Sequence, residues 1–123
     1  MSRVVMHLVR EALAELADEN YQREVWLASH GPRVGSVLEA SERLFDDSGL
    51  GDALNRPDAL VFDGPTDAGL RRLQRMVQGV IEIDGTVFDV LASRDLREVR
   101  ELAAQMLFSL VRRDAELSRR TSE

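Results

Sequence analysis

The chain has 123 residues, 44% hydrophobic and 31% charged, which is typical of one globular domain over residues 1–123 rather than of a disordered or fibrous protein. It contains no cysteine, which excludes disulfides, thiolate metal sites and a cysteine nucleophile. The formal net charge of −6 argues against nucleic acid as a partner, because phosphate binding normally needs a basic surface.

The first half of the sequence predicts two amphipathic helices. Apolar residues recur every three or four positions over residues 3–18, with charged residues between them. A second helix is predicted to begin after Ser36 and to run to Asp46. Glu39 follows Ser36 at the spacing of a capping box, in which the serine hydroxyl and the glutamate carboxylate accept backbone N–H groups at the helix start.

The next segment predicts a helix followed by a β-hairpin. The third helix is expected to be capped by Thr66 or Asp67 and to end near Gln78. Asp84-Gly85 is a favoured dipeptide for a type I′ turn, and apolar residues alternate on both sides of it. The sequence therefore predicts a small hairpin over residues 80–90.

The last predicted helix is the longest and begins after Ser93, a favoured capping residue. Its apolar residues follow a heptad spacing that suits either a core helix or the seam of a homodimer. The seam consists of Leu96, Val99, Ala103, Met106 and Leu110. The predicted fold is thus α+β and predominantly α, with four helices and a small β-hairpin near residues 80–90.

The negative charge is concentrated in the middle of the chain. Residues 36–67 contain eight acidic residues and two arginines, a net charge of −6, which favours a basic partner. Asp46, Asp47 and Asp52 form the densest group of carboxylates. They suit a docking loop for a protein or a Mg²⁺ site in a small phosphate-handling hydrolase. Asp47 and Ser48 equally suit the cap of a short helix that runs through Leu54.

The sequence contains no motif for nucleophilic catalysis, nucleotide binding or metal-dependent hydrolysis. His30 lies in a Gly-Pro loop without a neighbour that could orient it, and we expect no catalytic residue, cofactor or resident metal. Trp26 is either a core residue or an anchor at an interface. No segment matches a signal peptide or a membrane span, so we expect a cytoplasmic protein that does not bind a membrane.

A resemblance to a known family covers the 34 residues from Tyr21 to Leu54. The pattern Tyr21-x-x-x-Val25-Trp26-Leu27, followed by Phe45-Asp46-Asp47-x-Gly49-Leu50 and Ala53-Leu54, resembles a family of small actinobacterial proteins. Some members are described as similar to immunity proteins of contact-dependent growth inhibition. The resemblance implies a cytoplasmic, non-enzymatic protein that neutralises a toxin by binding it.

These observations predict a non-enzymatic protein-binding domain, with an immunity-type antitoxin as its particular form. Asp46, Asp47, Asp52 and Trp26 are the predicted partner-binding residues. The alternatives are a small Mg²⁺-dependent phosphate-handling hydrolase that uses the same three aspartates, and a homodimeric regulatory or structural subunit assembled through the last helix.

Overall fold

The computed structural model describes residues 4–27, 36–56 and 58–121, and in these ranges the protein is all-α. The α-helices are α1 (Met6–Ala17), α2 (Glu19–Tyr21), α3 (Val37–Ser41), α4 (Leu50–Leu54), α5 (Gly64–Ile81), α6 (Val87–Leu91) and α7 (Arg94–Thr121). Helix α2 continues directly into a π-helical turn, π1 (Gln22–Trp26), and α3 continues into another, π2 (Glu42–Asp47).

Helix α1 packs antiparallel to α7, the longest helix. Arg10 in α1 forms an ion pair with Asp114 near the carboxyl end of α7. Gln22, which follows α1, accepts a 2.7 Å hydrogen bond from Nε of Arg100 in the amino-terminal part of α7. Because the start of each helix lies beside the end of the other, the two helices run in opposite directions.

Helix α5 also packs antiparallel to α7. Arg113 lies 3.5 Å from the carboxylate of Asp63, which precedes α5, and its guanidinium stands 5.7 Å from the centre of the Phe62 ring. Further along, a Cβ atom at Gly69 would lie 2.6 Å from Sδ of Met106. The glycine therefore lets α5 and α7 approach closely at this point. Helix α7 is thus the element shared by both long helix pairs.

The core contains side chains from every α-helix except the short α2. Each fully buried leucine contributes about 1.5–3 kcal/mol through removal of its apolar surface from water. The predicted heptad seam of the last helix belongs to this core, which confirms the core interpretation of that seam. None of the described helices combines the length and the apolar character needed to cross a membrane. Fully buried leucines include Leu13, Leu16, Leu44, Leu50, Leu54, Leu70, Leu73, Leu96 and Leu110.

The predicted β-hairpin is wrong: no strand occurs in the described ranges, and the fold is all-α rather than α+β. Helix α5 continues to Ile81, and α6 begins one residue after Thr86. Thr86 and Asp89 form a capping box, in which the Asp89 N–H donates to Oγ1 of Thr86 and the Thr86 N–H donates to the Asp89 carboxylate. Asp84-Gly85 therefore links two helices instead of two strands.

The caps of two predicted helices are confirmed, and the cap of a third lies earlier than predicted. Ser36 accepts a hydrogen bond from a backbone N–H of α3, and Ser93 accepts one from α7. Helix α5 is capped by Asp63, whose Oδ1 accepts the Thr66 N–H at 2.7 Å, rather than by Thr66 or Asp67. Asp67 is fully buried and accepts the N–H groups of residues 61 and 62, so it holds the preceding connector against α5.

The capping carboxylates predict an acid-sensitive stability. Hydrogen bonds from the Thr66 N–H lower the pKa of Asp63, and hydrogen bonds from the Thr86 N–H lower the pKa of Asp89. A folded-state pKa below the unfolded value stabilises the fold above the unfolded pKa, and this contribution is lost as the pH falls through the folded value. We expect Asp63→Asn with Asp89→Asn, which keeps the acceptor oxygens, to flatten the loss of melting temperature between about pH 5 and pH 2. An unchanged slope in thermal melts of this double variant would contradict the assignment.

Candidate interaction surface

The predicted aspartates lie on a short stretch of backbone whose inner side is buried. In π2, Leu44 and Phe45 point into the core, while Asp46 and Asp47 are exposed. Because a π-helical turn bonds residue i to residue i+5, the first and last residues of π2 are separated by about one turn. Glu42 is exposed as well, so one short turn presents three carboxylates to solvent.

A tight turn joins π2 to α4 and fixes the position of Asp52. Gly49 has φ 82°, a left-handed conformation that glycine adopts without a steric penalty. Ser48 is buried; its hydroxyl donates to the carbonyl of Leu44 and accepts the Leu50 N–H at 3.1 Å. The N-cap of α4 is Gly49 rather than Asp47 or Ser48, and the Ser48 hydroxyl accepts the first N–H of the helix from the position before the cap. Asp52 is exposed in the first turn of α4.

Glu42, Asp46, Asp47 and Asp52 are here called the acidic surface. Within residues 4–27, 36–56 and 58–121, none of the four takes part in an ion pair. Several carboxylates elsewhere are paired with arginines: Glu15 with Arg43, Glu19 with Arg23, Asp63 with Arg113, and Asp114 with Arg10. The acidic surface therefore holds a group of negative charges that the described part of the chain leaves uncompensated.

The acidic surface lacks the geometry of a metal site. In the described ranges, no group of three or more histidine, aspartate or glutamate side chains converges on a point where a metal ion could bind. Asp46, Asp47 and Asp52 are all exposed to solvent.

One predicted partner-binding residue, Trp26, does not lie on the surface. Trp26 is only 3% exposed and belongs to the core, so its side chain is not available on the surface of the protein. Its indole Nε1 finds no hydrogen-bond acceptor in the part of the chain that the structure describes. His30 lies outside the described residues, and His7 is exposed on α1.

The structure also shows a buried polar cluster that the sequence pattern did not reveal. Glu15 is one of the charged residues between the apolar positions of α1, but it is buried, with Oε1 3.4 Å from Nη1 of Arg43. Burial and the nearby charge of Glu15 raise the pKa of Tyr21. Next to it, Gln22 is fully buried and donates to two carbonyl groups at the end of α1. These contacts fasten the α2–π1 segment to α1, so we assign them a structural role.

Comparison of the chain with models of protein families, with curated proteins and with solved structures finds no match in any of the three. The resemblance of residues 21–54 to small actinobacterial proteins accordingly stays a prediction.

Proposed function

We propose that this protein is a non-enzymatic binding domain that acts in the cytoplasm and docks a basic partner protein on its acidic surface. One observation carries the proposal: four exposed carboxylates occur within eleven residues, on π2 and the first turn of α4, and none of them takes part in an ion pair in the described ranges. A π-helical turn, which is rare and often occurs at functional sites, presents three of them.

The physical reason for such a surface is electrostatic steering. Neighbouring like charges repel one another, and a basic partner relieves this repulsion when it binds. Because the screening length is about 10 Å at 0.1 M salt, an approaching basic surface experiences several of these carboxylates at once. Complementary charge of this kind mainly accelerates association and disfavours wrongly charged partners.

An immunity-type antitoxin is the form of this function that the family resemblance supports. The partner would then be a basic toxin, and a toxin encoded beside the gene is the first protein to test. Charge complementarity on the antitoxin would speed capture of the toxin, which is the property that protection requires.

Neutralising the acidic surface should slow association without unfolding the protein. We expect Asp46→Asn, Asp47→Asn and Asp52→Asn together to lower the association rate with a basic partner about tenfold at low salt, with a smaller change in dissociation. The salt dependence of binding should become shallower. Because the three side chains are exposed, each substitution should change the free energy of unfolding by only about 0.5 kcal/mol.

The matched control removes the same number of charges from other exposed positions, through Glu24→Gln, Glu82→Gln and Asp84→Asn. Immobilised wild type, acidic-surface variant and control variant are exposed to a lysate of the source organism at low and high salt. A protein retained by the wild type and the control, lost on the acidic-surface variant and eluted by salt, supports the proposal. If all three baits capture the same proteins, or none depends on salt, the acidic surface is not the docking site.

A further inference from the structure

The outer face of α7 carries exposed apolar side chains at regular positions. Phe108 is 68% exposed and Val111 is 50% exposed, although both are large hydrophobic residues within the helix. Ala104 and Ala115 are exposed about one turn before and one turn after them. These four residues, here called the apolar stripe, lie opposite the residues by which α7 joins the core, which are Val99, Ala103, Met106 and Leu110.

The spacing of the apolar stripe is that of a helix–helix interface. Its members are separated by four, three and four residues, which is the heptad spacing of a coiled-coil seam. The stripe covers about 17 Å of helix at a rise of 1.5 Å per residue. Single exposed hydrophobic residues are common on protein surfaces, whereas an aligned row on one helix face marks a binding surface.

The order of the side chains indicates what binds there. From Ala104 to Ala115 the stripe reads small, large, large, small, and this order and the spacings are the same in either direction along the helix. We infer that two copies of this chain pair antiparallel through α7, about a two-fold axis between positions 109 and 110. This register places Phe108 against Val111 of the second copy, and Ala104 against Ala115, twice each, as a symmetric dimer interface requires.

The charges at the ends of the stripe favour the same arrangement. Glu98 lies before the stripe and Arg119 lies after it, so antiparallel pairing places the carboxylate of each copy beside the guanidinium of the other. A parallel pair would place Glu101, the seam position before Ala104, beside Glu101 of the second copy, which is repulsive. Within the chain, Glu98 lies 3.3 Å from the highly exposed Arg94, a surface pair of little energetic value that can exchange.

The inferred dimer is separate from the proposed docking of a basic partner. The apolar stripe shares no residue with the acidic surface, so the two contacts can be disrupted independently. A single pair of helices forms a small interface, and we expect dissociation in the micromolar range.

Sedimentation of the full chain across the micromolar range tests the inference. The wild type should change from monomer to dimer with concentration, and Phe108→Glu with Val111→Glu should weaken the dimer at least about tenfold. The control Ala68→Glu with Gln78→Glu adds the same two charges to exposed positions on α5 and should dimerise like the wild type. A wild type that stays monomeric throughout, or a dimer that tolerates the stripe variant, overturns the inference.

Charge exchange tests the antiparallel register and does not depend on the stripe variant being folded. Glu98→Arg alone and Arg119→Glu alone should each weaken self-association, because each places like charges together at both ends of the dimer. A mixture of the two variants should form a mixed dimer more readily than either forms its own, and the double variant should regain wild-type association. Equal association of all combinations rules out this register.

Discussion

Leu110→Glu is expected to leave the chain unfolded, whereas Val111→Glu, one residue further along the same helix, is expected to leave it folded. Leu110 is 1% exposed in the core, and Val111, about 100° further around α7, is half exposed to solvent. Loss of a buried leucine costs about 2–5 kcal/mol, and burial of an unpaired carboxylate adds several kcal/mol more. Together these terms approach or exceed the roughly 5–15 kcal/mol that stabilises a whole domain.

Circular dichroism and urea unfolding of the two variants measure this difference. Both variants carry the same new side chain in the same helix, so helix propensity and net charge are matched between them. A cooperative unfolding transition for Leu110→Glu with wild-type stability would show that α7 does not join the core through this face.

Gln22→Leu is expected to destabilise the fold by about 3 kcal/mol, even though leucine is the more hydrophobic residue. The Gln22 amide donates to the carbonyls of Glu15 and Leu16 at 2.9 and 2.8 Å, and its oxygen accepts from Nε of Arg100. Leucine would leave two carbonyl groups and a guanidinium N–H without these partners in a place that water does not reach. An unsatisfied buried polar group costs about 1–3 kcal/mol.

The control for this prediction is Gln78→Leu, the same change at an exposed position of α5, which should alter stability by less than about 0.5 kcal/mol. Denaturant unfolding measures the stability of both variants. The same measurement on Arg100→Met, and on the double variant Gln22→Leu with Arg100→Met, gives the coupling energy between residues 22 and 100. We expect a coupling energy of about 1–2 kcal/mol. Simple additivity of the two substitutions would mean that the hydrogen bond between them contributes little.

The long helices could be predicted from the sequence because their buried residues recur every three or four positions. The predicted helix over residues 3–18 corresponds to α1, and the helix predicted after Ser93 corresponds to α7. In both, apolar residues recur at three- and four-residue spacing because one side of the helix faces the core throughout. Serine caps can also be predicted from the sequence, since the capping hydrogen bond joins residues only a few positions apart.

The hairpin prediction failed because Asp84-Gly85 is compatible with several kinds of turn. Thr86 and Asp89 carried a competing signal, a threonine followed three residues later by a carboxylate that caps a helix. The buried positions of Glu15 and Gln22 could not be predicted from periodicity, because their partners come from other elements. Such residues are polar in the pattern and become core residues only through tertiary contacts.

The acidic surface could be predicted in part. The concentration of carboxylates identified Asp46, Asp47 and Asp52, and all three are exposed. Glu42 joins them because it lies about one turn before Asp46 and Asp47: the α-helical period already places it beside Asp46, and the π-helical turn adds Asp47. Trp26 shows the opposite case, since a single aromatic residue fits a core and an interface equally well until its neighbours are known.

The pairing of Arg10 with Asp114 has a consequence for the synthesis of the chain, because 104 residues separate the two ends of this contact. Helix α1 leaves the ribosome first, yet it cannot complete its packing until α7 has followed. At about 5–20 residues per second, translation of these 104 residues takes on the order of 5 to 20 seconds, and α1 lacks its partner for that time. During that time Leu13 and Leu16 are open to solvent, so the nascent chain should be the form of this protein that chaperones bind and that aggregates most readily.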